Sequence, residues 1–212
     1  MNCIHVYICD MNTTEKKRTY QMVQRAEQVA RNDRKIIDAM SDLWLEVPLS
    51  ELTLDKVSQR SGVTVRTILR KFGSKEGLFQ ACIESDGDRF TRKRMQVKPG
   101  DLTGILDALL EEYEHMGNAL IRTLTVEYEY PVTQTLLQNA RRFHRDWCAQ
   151  VFEPFLPEPD NDNFETVLSA FIAGTEFYLW KLLRKDLGKS LEQCRKIFRF
   201  SLEGLAANAK NL

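Results

Sequence analysis

Thr53-Leu54-Asp55-Lys56-Val57-Ser58-Gln59-Arg60-Ser61-Gly62-Val63-Thr64-Val65-Arg66-Thr67-Ile68-Leu69-Arg70-Lys71-Phe72-Gly73-Ser74 is the stretch on which the fold turns. Thr53 can accept a hydrogen bond from an orphaned N–H of a first helical turn, and Asp55 suits the positive end of that helix. Val57 is its buried anchor. The helix must be short, because Gly62 supplies the left-handed backbone that closes a helix and turns the chain. Thr64 then caps a second helix, with Ile68 and Phe72 facing inward and Arg66, Thr67, Arg70 and Lys71 facing outward. Gly73 and Ser74 open a third element. Two short helices around a Gly-containing turn form a helix-turn-helix, with small Ser58 at the close approach and Val63 and Ile68 filling the space between.

Charge singles out the same stretch. The chain has 30 basic and 30 acidic residues, but residues 1–100 hold 18 bases and 13 acids whereas residues 101–212 hold 12 and 17. From Lys56 to Lys75 there are six bases and no acid. A local excess of one sign suits a polyanion, and an exposed basic helix is shaped for a major groove.

Outward from this centre, Ile36, Ile37, Met40, Leu43, Trp44 and Val47 recur at helical spacing, which predicts a helix from about Asn32 to just before Pro48. Residues 1–31 are expected to form a flexible arm. Its bases, including Lys16, Lys17, Arg18, Arg25 and Arg31, fit either a solvated leader or a segment touching phosphates and the adjacent minor groove.

The pattern Ile36-Ile37-x-Ala39, Leu43-Trp44, Leu52-Thr53-Leu54-Asp55-Lys56-Val57, Arg60-Ser61-Gly62-Val63-Thr64, Thr67-Ile68, Phe72-Gly73-Ser74-Lys75-Glu76-Gly77-Leu78-Phe79 resembles the DNA-binding domain of the tetracycline-repressor (TetR) family of bacterial transcription regulators. The resemblance covers about residues 32–85. It implies phosphate contacts from Thr53 and Lys75 at two helix N-termini, a base-edge contact from Arg66, and further DNA contacts from Thr64, Val65, Thr67, Arg70 and Lys71. Three positions depart from the family pattern: Leu69 replaces the usual Tyr, Lys71 an aromatic or His, and Val47-Pro48 a common Gly.

Pro99-Gly100 separates off the second half. There the expected helices start at Thr103, continue as a short helix from about Leu120 after a break at Gly117-Asn118, restart at Pro131, run from Phe164 to Leu187, and end with a helix capped by Ser190 and Gln193. The fold class is therefore all-α with about nine helices. The expected domains are the arm (1–31), a three-helix head with the helix-turn-helix (32–80), and a helical effector-binding and dimerisation body (81–212). Tyr113, His115, Tyr128, Phe143, His144 and Trp147 mix apolar walls with polar tips and are the candidates to meet a small molecule. The stretch from Phe171 to Leu183 is apolar on more than one face. A second copy of the chain is the expected cover, through Phe171, Gly174, Phe177, Tyr178, Ile197, Phe198, Leu202 and Leu205, which the resemblance also implies.

Other classes fit less well. No apolar run approaches the roughly 18–20 residues of a membrane span. The five cysteines are scattered without metal or disulfide spacing, and Cys3, His5 and Cys9 near the start are not read as a metal set. No cofactor is expected. Nucleophile, metal-ligand spacing and phosphate-binding glycine loop are all missing from the sequence, so no enzyme is expected either. The leading expectation is a cytoplasmic, nucleoid-associated homodimer that binds double-stranded operator DNA, reads two half-sites of a roughly palindromic operator through its two-fold symmetry, and acts as a repressor released by a small-molecule effector. The alternative, motivated by Leu69, is a dimeric ligand-binding or interaction module whose reading head no longer reads DNA.

Overall fold

The computed structural model describes residues 7–209, with side chains described for residues 20–85 and 92–209. Cys3 and His5, and the side chains of Cys9, Lys16, Lys17 and Arg18, lie outside the described set. Nine α-helices and no strand occur among the described residues: α1 (Tyr7–Glu46), α2 (Leu54–Ser61), α3 (Val65–Phe72), α4 (Lys75–Arg94), α5 (Leu102–Thr125), α6 (Pro131–Val151), α7 (Phe164–Thr175), α8 (Phe177–Lys181) and α9 (Leu191–Asn208).

The expected helix boundary at Asn32 does not exist, because α1 runs unbroken from Tyr7. Neither Gly nor Pro interrupts residues 7–46. The segment before Asn32 is rich in good helix formers, and local pairs such as Arg31–Glu27 and Gln28–Asn32 sit one turn apart. Apolar periodicity had located only the part of α1 that is buried, at Ile36, Ala39, Met40 and Leu43.

The head forms as its caps require. Thr53 accepts from Lys56 N, Thr64 from Thr67 N, and Ser74 from Gly77 N, so α2, α3 and α4 each begin on a side-chain acceptor. Gly62 takes φ 69° between α2 and α3. Ile36, Met40, Leu52, Val57, Ile68 and Leu78 are fully buried in one apolar cluster. A second, larger cluster joins α5 to α9 around Trp147, Phe152, Phe171, Trp180 and Phe198.

Two departures in this second cluster cancel in the helix count. Gly117-Asn118 does not break α5. Gly117 instead gives room to Trp180: a Cβ there would lie 2.1 Å from the indole ring. Asp101, rather than Thr103, caps α5 by accepting from Gly104 N. The expected continuous helix from Phe164 to Leu187 is interrupted at Glu176, whose ψ of 146° is extended. The Thr175 carbonyl, cut off from the helical ladder, accepts instead from the Tyr113 hydroxyl at 2.9 Å. Beyond the break, α8 passes into a π turn at Leu182–Asp186, where Leu187 N donates to Leu182 O. Pro131 opens α6, and the Ser190–Gln193 capping box opens α9.

Candidate functional site

Residues expected to touch a polyanion lie on α3 and at the starts of α2 and α4. Thr53, Thr64, Arg66, Arg70 and Lys71 are exposed, while Val65, Thr67 and Lys75 are half-buried at the first turns of α3 and α4. The cap geometry accounts for this layout: Thr64 binds the Thr67 amide and its hydroxyl lies 3.0 Å from that of Thr67, so the first turn of α3 is held rigid while Arg66 projects from it.

The bases of the stretch divide by their partners. Arg60 is gripped by both carboxylate oxygens of Glu46, Lys56 lies 3.7 Å from Glu51, and Lys71 bridges to Asp33 at 2.8 Å. Among the described residues, Arg66, Arg70 and Lys75 have no carboxylate within salt-bridge distance. These three carry the uncompensated positive charge of the face. Lys71, expected to face outward beside them, ties α3 to α1. Leu69 is 42% exposed on the same helix, an apolar side chain set among the cations.

A cavity of about 450 Å³ opens between the head and the second cluster. Trp44 of α1 and Phe79, Cys82 and Ile83 of α4 form one wall, α5 and α6 the next, and the α7–α8 junction closes it with Glu176, Phe177 and Tyr178. Three of the six expected effector contacts line it: Tyr113, Phe143 and His144. The other three do not. Tyr128 is 85% exposed, His115 is exposed on α5, and Trp147 is buried beneath the wall, donating its indole N–H to Arg94 O.

Arg94 organises the polar end of this cavity. It is only 4% exposed, grips both oxygens of Glu112 at 2.7 and 3.1 Å, and lies over the ring of Trp147 at 4.8 Å. Its third contact settles a tautomer. A guanidinium can only donate, so His144 Nδ1, 3.1 Å away, accepts, and the ring proton sits on Nε2. That proton points to Thr175 Oγ1 at 3.1 Å, whose own hydrogen goes to Phe171 O at 2.7 Å. Burial, reinforced by the Arg94 charge, pushes His144 down to about 3, so the ring is neutral. Burial also pushes the Cys148 thiol up to about 11 and raises the Glu176 carboxyl above the ordinary carboxylate range. No group of three or more metal-ligating side chains occurs among the described residues.

Arg94, Glu112 and Glu176 were missed from the sequence. Arg94 is hidden in a basic run that reads as solvated surface. Glu176 did carry a signal, as the single charge within the otherwise apolar segment from Phe171 to Trp180.

The residues expected to meet a second copy differ in exposure. Phe171, Phe177, Phe198 and Leu202 are buried in the chain's own core, and Gly174 admits Leu205, which would lie 3.1 Å from a Cβ there. Ile197 and Leu205 remain half-buried and Tyr178 exposed. The outer faces of α7 and α9 instead present Ser169, Ala173 and Gly204, with Phe200 80% exposed.

Residues 36–82 match the family model for bacterial regulatory proteins of the tetR family. Over 152 residues the chain is 24% identical to the HTH-type transcriptional regulator BetI 1 of Chromohalobacter salexigens, spanning 66% of this chain and 75% of that protein. A transcriptional regulator from Rhodococcus sp. RHA1 superimposes with a TM-score of 0.67 at 12% identity, covering 83% of this chain and 96% of its own. A TetR transcriptional regulator from the same organism gives 0.54 at 16% identity, covering 84% and 97%. No described helix is long and apolar enough to cross a membrane. The helix-turn-helix at 54–72 lies inside the segment that matches the tetR family model, so this part of the chain is similar to the DNA-binding region of those regulators.

Proposed function

We propose that this chain is a DNA-binding transcriptional regulator of the tetR family, a homodimeric repressor that acts in the cytoplasm on nucleoid DNA, binds an operator through α3 and the first turns of α2 and α4, and leaves it when a small molecule fills the cavity. The observation that carries the release step is the position of the cavity. Its walls come from α1 and α4 of the head and from α5, α6 and the α7–α8 junction of the body, so one ligand touches both parts. A ligand shifts an equilibrium only by differential contact with its two states, and a site on the seam provides that contact.

On the DNA side, Arg66 reads a base edge and Arg70 and Lys75 hold phosphates, with Thr53, Thr64, Val65 and Thr67 completing the contact surface. Lys71 contributes through its tie to Asp33 as well as through its charge. The second copy packs through the outer faces of α7 and α9, where Ser169, Ala173 and Gly204 permit close approach and Phe200 is the apolar anchor. Ile197, Leu205, Gly174 and Tyr178 flank that surface.

The test is binding of the purified protein to fragments from upstream of its own gene and to random DNA, at about 50 and 200 mM salt. Selective protection of two half-sites is expected, with affinity falling by roughly three to five decades across that range for six to ten phosphate contacts. Arg66→Ala should relax preference at one base pair per half-site at a cost of about 1–3 kcal/mol, whereas Lys75→Ala should weaken every sequence alike. The exposed Leu69 favours a second reading, a dimeric ligand-binding module with a degenerate head. Absence of DNA binding at the lower salt would select it.

A further inference from the structure

We infer that Leu69 reads a base, its exposed side chain packing on the C5 methyl of a thymine beside the base pair that Arg66 contacts; this rests on the DNA-binding function proposed for the head. The register of α3 sets where Leu69 stands. Ile68 is fully buried and Phe72 half-buried, which fixes the inner side of the helix. Arg66 and Arg70 are exposed on the opposite side, and Leu69, 42% exposed, stands between the two sides, one turn after Val65 and Arg66. Val65 is half-buried, so these two branched side chains form a short apolar strip along one flank. The other flank carries Lys71, bound to Asp33 of α1. The backbone beneath the strip is fixed at both ends: Thr64 caps it, and Gly73 N donates to Leu69 O at 2.9 Å.

A single exposed leucine is common on protein surfaces and carries no message. The neighbours of Leu69 give it one. Arg66, Arg70 and Lys75 have no carboxylate within salt-bridge distance among the described residues, so the strip is framed by charge that suits phosphates and guanine edges. Leucine has neither donor nor acceptor and holds no phosphate. What it can bury in a major groove is the thymine methyl, the apolar group that base edges present there, whereas cytosine would set its amino donor in the same region without a partner. Three residues of α3 rise about 4.5 Å and successive base pairs lie about 3.4 Å apart, so the thymine falls within about one or two base pairs of the pair that Arg66 contacts.

Two alternatives fit this arrangement less well. A head that no longer reads DNA accounts for Leu69 but leaves the uncompensated cations and the capped helix without a use. A protein partner seated on the strip would have to bury Arg66 and Arg70 as well, both of them charges without a carboxylate in this chain.

The test selects duplexes from a random pool with the full-length protein at low salt, then rebuilds the preferred site with deoxyuridine, which differs from thymidine only in lacking the C5 methyl. At one position, the same in both half-sites, the exchange should weaken binding about fourfold per half-site and roughly fifteenfold when both are exchanged, as burial of one methyl-sized group implies. Leu69→Ala should bind the thymine duplex as weakly and make no distinction between thymine and uracil there, while Leu69→Met keeps the distinction. Cytosine methylated at C5 should bind better than cytosine at that position in the parent and not in Leu69→Ala. Leu69 is exposed, so unchanged thermal unfolding of both variants separates recognition from folding. A uracil penalty at no position, a penalty that Leu69→Ala retains in full, or a pool without a preferred sequence overturns the role of Leu69 and leaves DNA binding itself standing. If the parent binds no duplex at low salt, the DNA-binding function fails and the inference falls with it.

Discussion

Replacing Glu112 by Gln tests whether α4 is anchored in the body by a single guanidinium. Arg94 ends α4, and its side chain reaches Glu112 on α5 and His144 and Trp147 on α6. Gln keeps the shape of Glu and one acceptor oxygen, so the substitution removes charge and little else. Arg94 is 4% exposed and cannot turn to water, and Glu112 is the only carboxylate within salt-bridge distance of it among the described residues. Removing one partner of a buried pair costs about 3–5 kcal/mol, because the other charge is left uncompensated in a medium of low polarity. For a chain of this size that corresponds to a fall in Tm of about 6–20 °C. Urea unfolding at pH 7 followed by circular dichroism measures the loss. A double variant, Arg94→Met with Glu112→Leu, should recover most of it, since apolar replacement of a whole buried pair is often neutral or stabilising. A loss below about 1 kcal/mol for Glu112→Gln would refute the anchor, because a pair worth so little behaves as a solvated one.

Three further outcomes follow from the geometry. His144 titrates near 3 in the fold against about 6.5 when unfolded, so the unfolded chain binds the extra proton between those values; its contribution to stability is complete above pH 6.5 and declines by about 1.4 kcal/mol per unit as pH falls towards 3. Subtracting the urea-derived stability of His144→Gln from that of the parent between pH 7 and 4 should reveal that slope, and parallel curves would show that the ring does not titrate as a buried neutral group. Gly117→Ala should destabilise by about 1–3 kcal/mol or more, since its Cβ would fall 2.1 Å from a Trp180 ring that is itself fully buried; an unchanged Tm would contradict the close packing. Thr64→Ala, which removes the cap of α3, should cost about 1 kcal/mol in thermal unfolding, while Thr64→Ser should restore it.

What could be read from the sequence depended on how local its cause was. The head was legible because each element is specified by its neighbours: Thr53, Thr64 and Ser74 cap within three residues, and Gly62 turns where it stands. Errors appeared where the cause lay far along the chain. Gly117 looks like a helix breaker until Trp180, 63 positions later, is seen to need its space. The run from Phe164 to Leu187 looks like one helix until Tyr113 supplies a hydroxyl to Thr175 O. Surface α-helix before Asn32 escaped notice because periodicity reports burial, whereas an exposed helix announces itself only through propensity. Aromatic residues of the second half were equally ambiguous, since Tyr113 and Trp147 share a composition but only Tyr113 lines the cavity.

Long-range contacts of the same kind also set the place of the cavity. Besides the packing of Tyr130, Val132 and Leu136 against the head core, side-chain hydrogen bonds among the described residues tie head to body at two places. At one, Arg122 of α5 donates to the carbonyls of Trp44 and Leu45 at the end of α1, and the Trp44 indole N–H donates to Thr123 Oγ1 at 3.0 Å. At the other, Arg94 fixes the end of α4. The cavity occupies the space between these attachments, and Trp44 and Arg94 both line it. Each residue therefore has a structural contact on one side and the cavity on the other. A molecule bound there bears on both attachments together, and α1 and α4 are the helices that pack the short α2 and α3 into the head. In the proposed release, displacement of either attachment would pass to α3 through packed helices rather than through a flexible linker.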